Sequence, residues 1–552
     1  TGYLRRTSRN LPAAVAAGLS PASAGNTYTY YGDKEGYGTA LGLTAEVCGL
    51  PLSTPQSGFP KKTTTPAPAT GAAIEAWAIY DLWGRVAATK RTGDSDWSCT
   101  SYDLRGRPTK TSIPAFGGAP ARTTSYAYTS DGTYTGDPLS SLVTDGTVAG
   151  SPTSGKISTT IDLLGRIVTY TDVWGTVTKT SYNRLGQASE VSVTSGAETN
   201  TQKSVYNIDG QVEQVKDNGA LIADPTYQNG LVKSVDYPTG AGNAGNGTGL
   251  AELRRNEAGA NTGITWTFPG QDLLADDVVR SQAGRIVKDT ITDGTATAAS
   301  TYTYDAAGRL IEANIPGHRL EYGFAASGGC GAGTTAGLNG NRTSMTDTPT
   351  TGTPITTSSC YDRADRLTST TVAAPVSGAN PVADGLATKE IVYDPHGNMT
   401  TLADQTLLYD GADRHLKTTL ADGTVIQYVR DVTDRIVSRT ATIAAVTTTI
   451  YYLYSGSGDS PSAIREGTLT GNLTRMLGLP GGVSVTIPTT GDQTWSYPNV
   501  HGDTVVTANQ TGTRSTRFSY DPFGQPVTAT GLIGTTTADD SVPDTLPGDA
   551  DY

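Results

Sequence analysis

Histidine and cysteine are scarce in this 552-residue chain, with four of each, and methionine occurs only three times. Cys48, Cys99, Cys330 and Cys360 show no C-x-x-C spacing. With so few histidines beside them, a zinc centre is not expected, nor any other cofactor. Charged residues make up 17% of the chain and the net charge is −12. Its Lys and Arg are scattered, whereas a face that neutralises nucleic-acid phosphates needs them clustered. No run approaches the roughly 18 apolar residues that a membrane-spanning helix requires. There is no G-x-S-x-G serine, no H-E-x-x-H pair and no phosphate-binding loop, so these residues are not expected to form an enzyme.

What is abundant is glycine (66) and tyrosine (28), against six Phe and six Trp. Threonine and tyrosine suit a pleated, half-exposed surface, and glycine suits tight turns. The composition points to an all-β fold. A seven-residue phrase then recurs: YDLWGRV at 80–86, YDLRGRP at 102–108, IDLLGRI at 161–167 and YDAAGRL at 304–310. A catalytic motif is needed once, whereas a motif written many times is the geometry of a repeated structural unit.

The stretch TYTYDAAGRLIEANI (301–315) shows what that unit is. Tyr302 and Tyr304 lie two apart and share one face of a strand. Asp305 is placed to accept hydrogen bonds from the turn that follows, and Gly308 supplies the positive φ that closes a hairpin with a bulge. Arg309 and Leu310 open the returning strand, where Ile311, Ala313 and Ile315 alternate with Glu312 and Asn314. The same reading covers Tyr80, Asp81, Gly84 and Arg85; Tyr102, Asp103, Gly106 and Arg107; and Gly165 with Arg166. Asn183 with Gly186, and Asn207 with Gly210, use Asn in place of Asp, while Gly284 and Arg285 have lost both Tyr and Asp. Tyr361 and Asp362 precede Asp365 at the glycine position; Tyr393, Asp394 and Gly397, the 408–416 stretch, and Tyr520, Asp521 and Gly524 continue the series. Longer gaps fall at 109–160, 213–279, 311–360 and 417–518. Hairpins laid edge to edge give one long twisted sheet, and a twisted sheet of this width should curl.

The remaining candidates have plain readings. His501 with Asp503 is the best acid–base or metal pair among the histidines, and a structural role is the simpler expectation. Asp94 and Asp96 could chelate calcium, but fit an ordinary solvated turn. Each Arg after the turn glycine is expected to lay its stem over a neighbouring Tyr and to pair with the next repeat's Asp. An even cysteine count in an acidic, Thr-rich chain suggests export and two disulfides. Neighbourhood favours Cys48 with Cys99 and Cys330 with Cys360, though three pairings are open. RRTSRNLPAAVAAGLSPASAG (5–25) has a short apolar part broken by Pro12 and is not read as a signal peptide.

The repeated T-x-YDxxGR phrase resembles the Tyr–Asp (YD) repeats of Rhs proteins, Tc-toxin shell components and teneurins. NVHGDTVVTANQTGTRSTRFSYDPFGQPV (499–527) is similar to the end of an Rhs repeat array, and 322–367 is similar to Rhs chains of actinobacterial type. The resemblance implies a spiral hollow shell, or cocoon, around a toxic C-terminal domain, in a secreted or cell-surface bacterial protein used in interbacterial competition. It also implies partners: the chain's own core and toxin region, and possibly other shell segments. Asp521-Pro522-Phe523-Gly524 sits inside a repeat and reads as a turn, so the family's self-cleaving core and toxin are expected outside these residues. The implied organisation is an irregular segment 1–25, a repeat shell 26–535 and an acidic connector 536–552. The alternative is a cell-surface adhesin or carbohydrate-binding array, which should expose Tyr or Trp along an outer groove.

Overall fold

The computed structural model describes residues 4–20, 24–128, 139–146, 148, 150–528, 531–532 and 535. The proposed connector 536–552 lies outside them. Two antiparallel meanders carry the fold: a 28-stranded sheet from Ser8–Asn10 to Gly385–Leu386, and a 12-stranded sheet from Ile391–Tyr393 to Thr504–Ala508. Within each sheet every strand pairs with the one before it and the one after it, as short hairpin connections require. The fold is all-β, and the large sheet is not closed.

The N-terminal segment is not irregular as its sequence suggested. Ser8–Asn10 pairs with Gly25–Tyr30, placing Ser8 opposite Thr27, and a short helix covers Pro12–Ala16. Ala13 donates its N–H to Asn339 Oδ1 (2.8 Å), and Thr335 Oγ1 donates to the Ala13 carbonyl (3.0 Å). An extended segment beside an open sheet edge satisfies its backbone groups by joining it. Disulfides join Cys48 to Cys99 and Cys330 to Cys360.

The path of the chain is set by contacts between distant residues, which follow an order. Ala13 meets Asn339 at a separation of 326, Asp94 meets His396 at 302, Trp174 meets Val437 at 263, and Asp217 meets Arg475 at 258. Tyr237 then meets Pro480 at 243, Trp266 meets Pro498 at 232, and His318 meets Thr528 at 210. The chain therefore passes over itself broadly in sequence order, with the separation falling overall from 326 residues at Ala13 to 210 at His318. That is a tapering spiral.

The circuits are welded by apolar packing. The largest cluster joins Ile222, Val235, Tyr237, Leu250, Trp266 and Leu274 of the first circuit to Val485, Trp495, Tyr497 and Val506 of the second. Trp266 and Tyr497 meet edge to face, with ring centroids 5.3 Å apart. A second cluster joins Tyr170, Val173 and Trp174 to Val437, Tyr452 and Leu453.

Candidate functional site

The working element of this chain is the repeated turn. In the 81–85 turn, Asp81 Oδ1 accepts from the backbone N–H of Trp83 and of Arg85, both at 2.9 Å. Asp81 Oδ2 takes the Arg85 Nε–H at 2.6 Å. Asp103, Asp162, Asp305 and Asp362 hold their own turns in the same way, through Arg107, Arg166, Arg309 and Arg366. The arginine thus pairs with the Asp of its own turn, and not with that of the next repeat as expected from the sequence. Four residues separate the two, and the bulge brings them onto one face. For Asp103 and Asp305 the backbone N–H at the Arg position is the main reason that the carboxyl sits below its ordinary range.

Glycine closes these turns because its φ is positive: Gly84, Gly106, Gly165, Gly186, Gly210, Gly284, Gly308, Gly397 and Gly524 all lie between 77° and 91°. At Gly308 a Cβ would also run into the Arg285 guanidinium. Asp365, Asp413 and Asp434 occupy the same position at φ 61°, 62° and 75°.

The tyrosine joins one repeat to the previous one. Tyr102 Oη donates to the Val86 carbonyl at 2.8 Å, Tyr304 to Ile286 at 2.9 Å, Tyr361 to Arg342 at 2.8 Å, Tyr393 to Leu367 at 2.9 Å and Tyr520 to Thr504 at 2.8 Å. Most of these rings also carry an arginine from the preceding turn: Arg85 lies 4.3 Å above Tyr102, and Arg366 lies 4.6 Å above Tyr393. Tyr80 instead stacks on Phe59 at 4.7 Å. Tyr304→Phe should cost about 0.5–1.5 kcal/mol, the usual net worth of one hydrogen bond. Urea denaturation of the variant measures it, and no change would mean that the hydroxyl does not link the repeats.

Sequence reasoning missed several turns of this kind. Asp172–Thr176, Asn256–Ala260, Asp431–Arg435, Asn499–Asp503 and Asn509–Thr513 all return the backbone N–H of the first residue to the carbonyl of the fifth. Their signal was present as Asp or Asn, two spacers and then Gly or Asp, without the preceding tyrosine.

Where circuits meet, the turns bury charge. His396 has a fully buried side chain, with Nδ1 2.9 Å from Asp413 Oδ1 and Nε2 3.0 Å from Asp94 Oδ1. Its ring stacks on Phe116 at 3.8 Å. Burial works against the charge on Asp413, but hydrogen bonds from His396, Arg91 and Asn398 outweigh it and hold the carboxyl well below the usual range. Asp94 therefore serves this junction, while Asp96 Oδ1 accepts from Trp97 N–H at 2.8 Å. His501 is exposed, its Nδ1 3.0 Å from Asp503 Oδ2. Among the described residues, no group of three or more His, Cys, Asp or Glu could hold a metal ion.

At another junction, Asp276 Oδ2 accepts from the Val500 N–H at 2.6 Å. Asp276 Oδ1 and Asp289 Oδ1 are both buried with no hydrogen-bond partner. Burial favours the protonated, uncharged form of the Asp289 carboxyl. Burial, followed by the hydrogen bond and charge of Asp276, pushes Asp289 up to about 8. The unfolded chain releases this proton as pH passes the ordinary carboxyl value near 4, whereas the folded chain keeps it to about 8. Between these values the unfolded state binds fewer protons, so this group's contribution to stability falls as pH rises and then levels off. Asp289→Asn should therefore gain in thermal midpoint over wild type as pH goes from 5 to 8. A constant gap would show that the proton is not held.

No family model and no curated protein matches this chain. Solved structures do. It is similar to the crystal structure of TcdB2-TccC3 without its hypervariable C-terminal region, with a TM-score of 0.58 at 15% identity, covering 89% of this chain and 25% of that one. The crystal structure of TcdB2-TccC3-TEV matches with a TM-score of 0.54 at 15% identity, covering 96% of this chain and 30% of that one. This chain has the fold of Tc-toxin shell chains, and spans a quarter to a third of their length.

Proposed function

We propose that this chain is a wall segment of a hollow shell that sequesters a toxic polypeptide. The observation that carries this reading is the ordered return of the chain over itself, in a fold shared with Tc-toxin shells. A spiral of hairpins joined turn to turn encloses a space without needing a closed barrel. The chemistry of the cargo is assigned to chain outside these residues, and the wall itself is assigned no catalysis. Two disulfides fit an oxidising, extracellular setting. No described helix is long and apolar enough to cross a membrane.

The adhesin reading called for exposed aromatic clusters. Among the described residues no tyrosine is exposed, because the repeats spend them on the linkage between hairpins, and Trp83 is the one exposed tryptophan, with no aromatic cluster around it. That favours the shell.

The test is to purify the native full-length product and weigh every fragment under native and denaturing conditions. A C-terminal piece that co-purifies with the wall and separates only on denaturation is the expected result. An unbroken species ending near Tyr552, with nothing retained, would overturn the proposal.

A further inference from the structure

The two rims of each sheet are not alike. In the first circuit the repeated turns 81–85, 103–107, 162–166, 183–187 and 207–211 lie an even number of strands apart in an antiparallel meander, so they share one rim. The connections between them, which hold Asp94, Phe116 and the 172–176 turn, share the opposite rim. The second circuit meets the first there, and with its own repeated turns. Those turns bring His396 to Asp94 and Phe116, Pro480 to Tyr237 and Val500 to Asp276. Val173 and Trp174, the spacers of the 172–176 turn, are buried by the second circuit. The turn rim of one circuit thus sits on the opposite rim of the circuit before it.

This stacking leaves one rim of each circuit free. On the first circuit it is the turn rim, where the spacers Leu82 and Trp83, Leu104, Leu163 and Leu164, Leu185 and Ile208 are 73–101% exposed. Scattered exposed leucines need no explanation, but a line of them along one rim marks an interaction surface. Val173 and Trp174 show what apolar spacers do when a circuit covers them. Each large apolar side chain gains about 1.5–3 kcal/mol on burial, which corresponds to roughly 60–120 Å². Seven of them approach the roughly 800 Å² that one partner gives to a standard interface.

On the second circuit the free rim carries the connections 403–404, 421–423, 444–445, 467–472 and 489–493. Ile443 and Val446 are exposed at its middle, and the exposed Asp422 and Asp492 stand to either side. None of these connections contains Lys or Arg. The spacers of the free turn rim include the exposed Arg105 and Arg184 against a single acid, Asp209. The two free rims therefore match in apolar tips and oppose in charge. They lie at opposite ends of one chain's stack, so a second copy supplies the match.

We infer that copies of this chain stack head to tail, the apolar turn rim of one copy's first circuit lying on the free rim of the next copy's second circuit. The contact repeats the orientation that the two circuits use within one chain. The inference deepens the wall reading by naming a partner surface; it rests on the circuits and not on the cargo, so fragment retention and stacking fail separately.

The experiment is sedimentation velocity of the purified chain from about 1 to 100 μM. Association should rise with concentration and pass beyond the dimer, because a head-to-tail contact leaves a free rim at each end. Leu104→Lys with Leu163→Lys, and separately Ile443→Lys with Val446→Lys, should each weaken association by about tenfold or more. All four side chains are exposed, so both variants should fold, which circular dichroism checks. Mixing the two variants should restore dimers and nothing larger, since one intact pair of rims remains. A chain that stays monomeric, a closed dimer that does not grow, or a mixture that restores no dimer would each overturn the inference. So would a native full-length product that stays monomeric while a maleimide fails to reach Leu104→Cys, since the rim would then be covered by the protein's own chain.

Discussion

Trp495→Ala should lower the stability of the chain by about 3–5 kcal/mol, the usual cost of emptying a large aromatic site in a packed core. Trp495 is 0% exposed and belongs to the second circuit, yet its ring meets Tyr237 of the first circuit at 5.5 Å. Its neighbours Val235 and Leu250 are equally buried. The cavity left behind would therefore lie between circuits, where collapse needs two sheets to move together. Trp495→Phe keeps much of the contact and should cost markedly less. Chemical denaturation gives the magnitude, and limited proteolysis should show earlier cleavage near the inter-circuit contacts. A loss below about 1 kcal/mol would mean that the two circuits are not packed as described.

Asp431→Ala should be comparably severe, at about 3–5 kcal/mol, because it strands a buried partner. Asp431 is 0% exposed; it accepts from the backbone of Thr433 and Arg435 and from the Arg435 guanidinium at 2.8–2.9 Å. Arg435 is almost wholly buried and also reaches Tyr170 Oη (2.6 Å) and the Gly456 carbonyl (2.7 Å). Removing the carboxylate leaves that cation without its counter-charge and frees backbone N–H groups in the same step. Asp305→Ala removes the same interactions from a turn that water reaches, since the side chains of Asp305 and Arg309 are 22% and 30% exposed. There the loss should be near 1 kcal/mol, as for exposed pairs. Equal losses at the two positions, measured by denaturation of matched variants, would show that burial does not grade the repeats.

That contrast also marks how far the sequence could be read. The hairpin was legible at Tyr304–Arg309 because every residue in it acts locally: the carboxylate caps its own turn, and the glycine takes its own positive φ. Asp431–Arg435 escaped notice because Arg430 stands where the tyrosine would be, although its turn chemistry is the same. The arginine's partner was misassigned because alternation along a strand does not reveal the bulge that turns Arg309 back onto Asp305. The Asp276–Asp289 pair gave no local sign at all. Neither residue belongs to a turn phrase, and only the diagonal pairing of neighbouring strands brings them together.

The sequence by itself determined the unit: an all-β hairpin, its turn, and neighbours paired in chain order, since these depend on groups a few residues apart. Only the tertiary structure decided the circuit. Contacts separated by 210 to 326 residues depend on twist summed over many strands, and no local pattern encodes that sum. Burial follows from the circuit, so identical turns are water-exposed at Asp305 and sealed at Asp431 according to whether another circuit covers them.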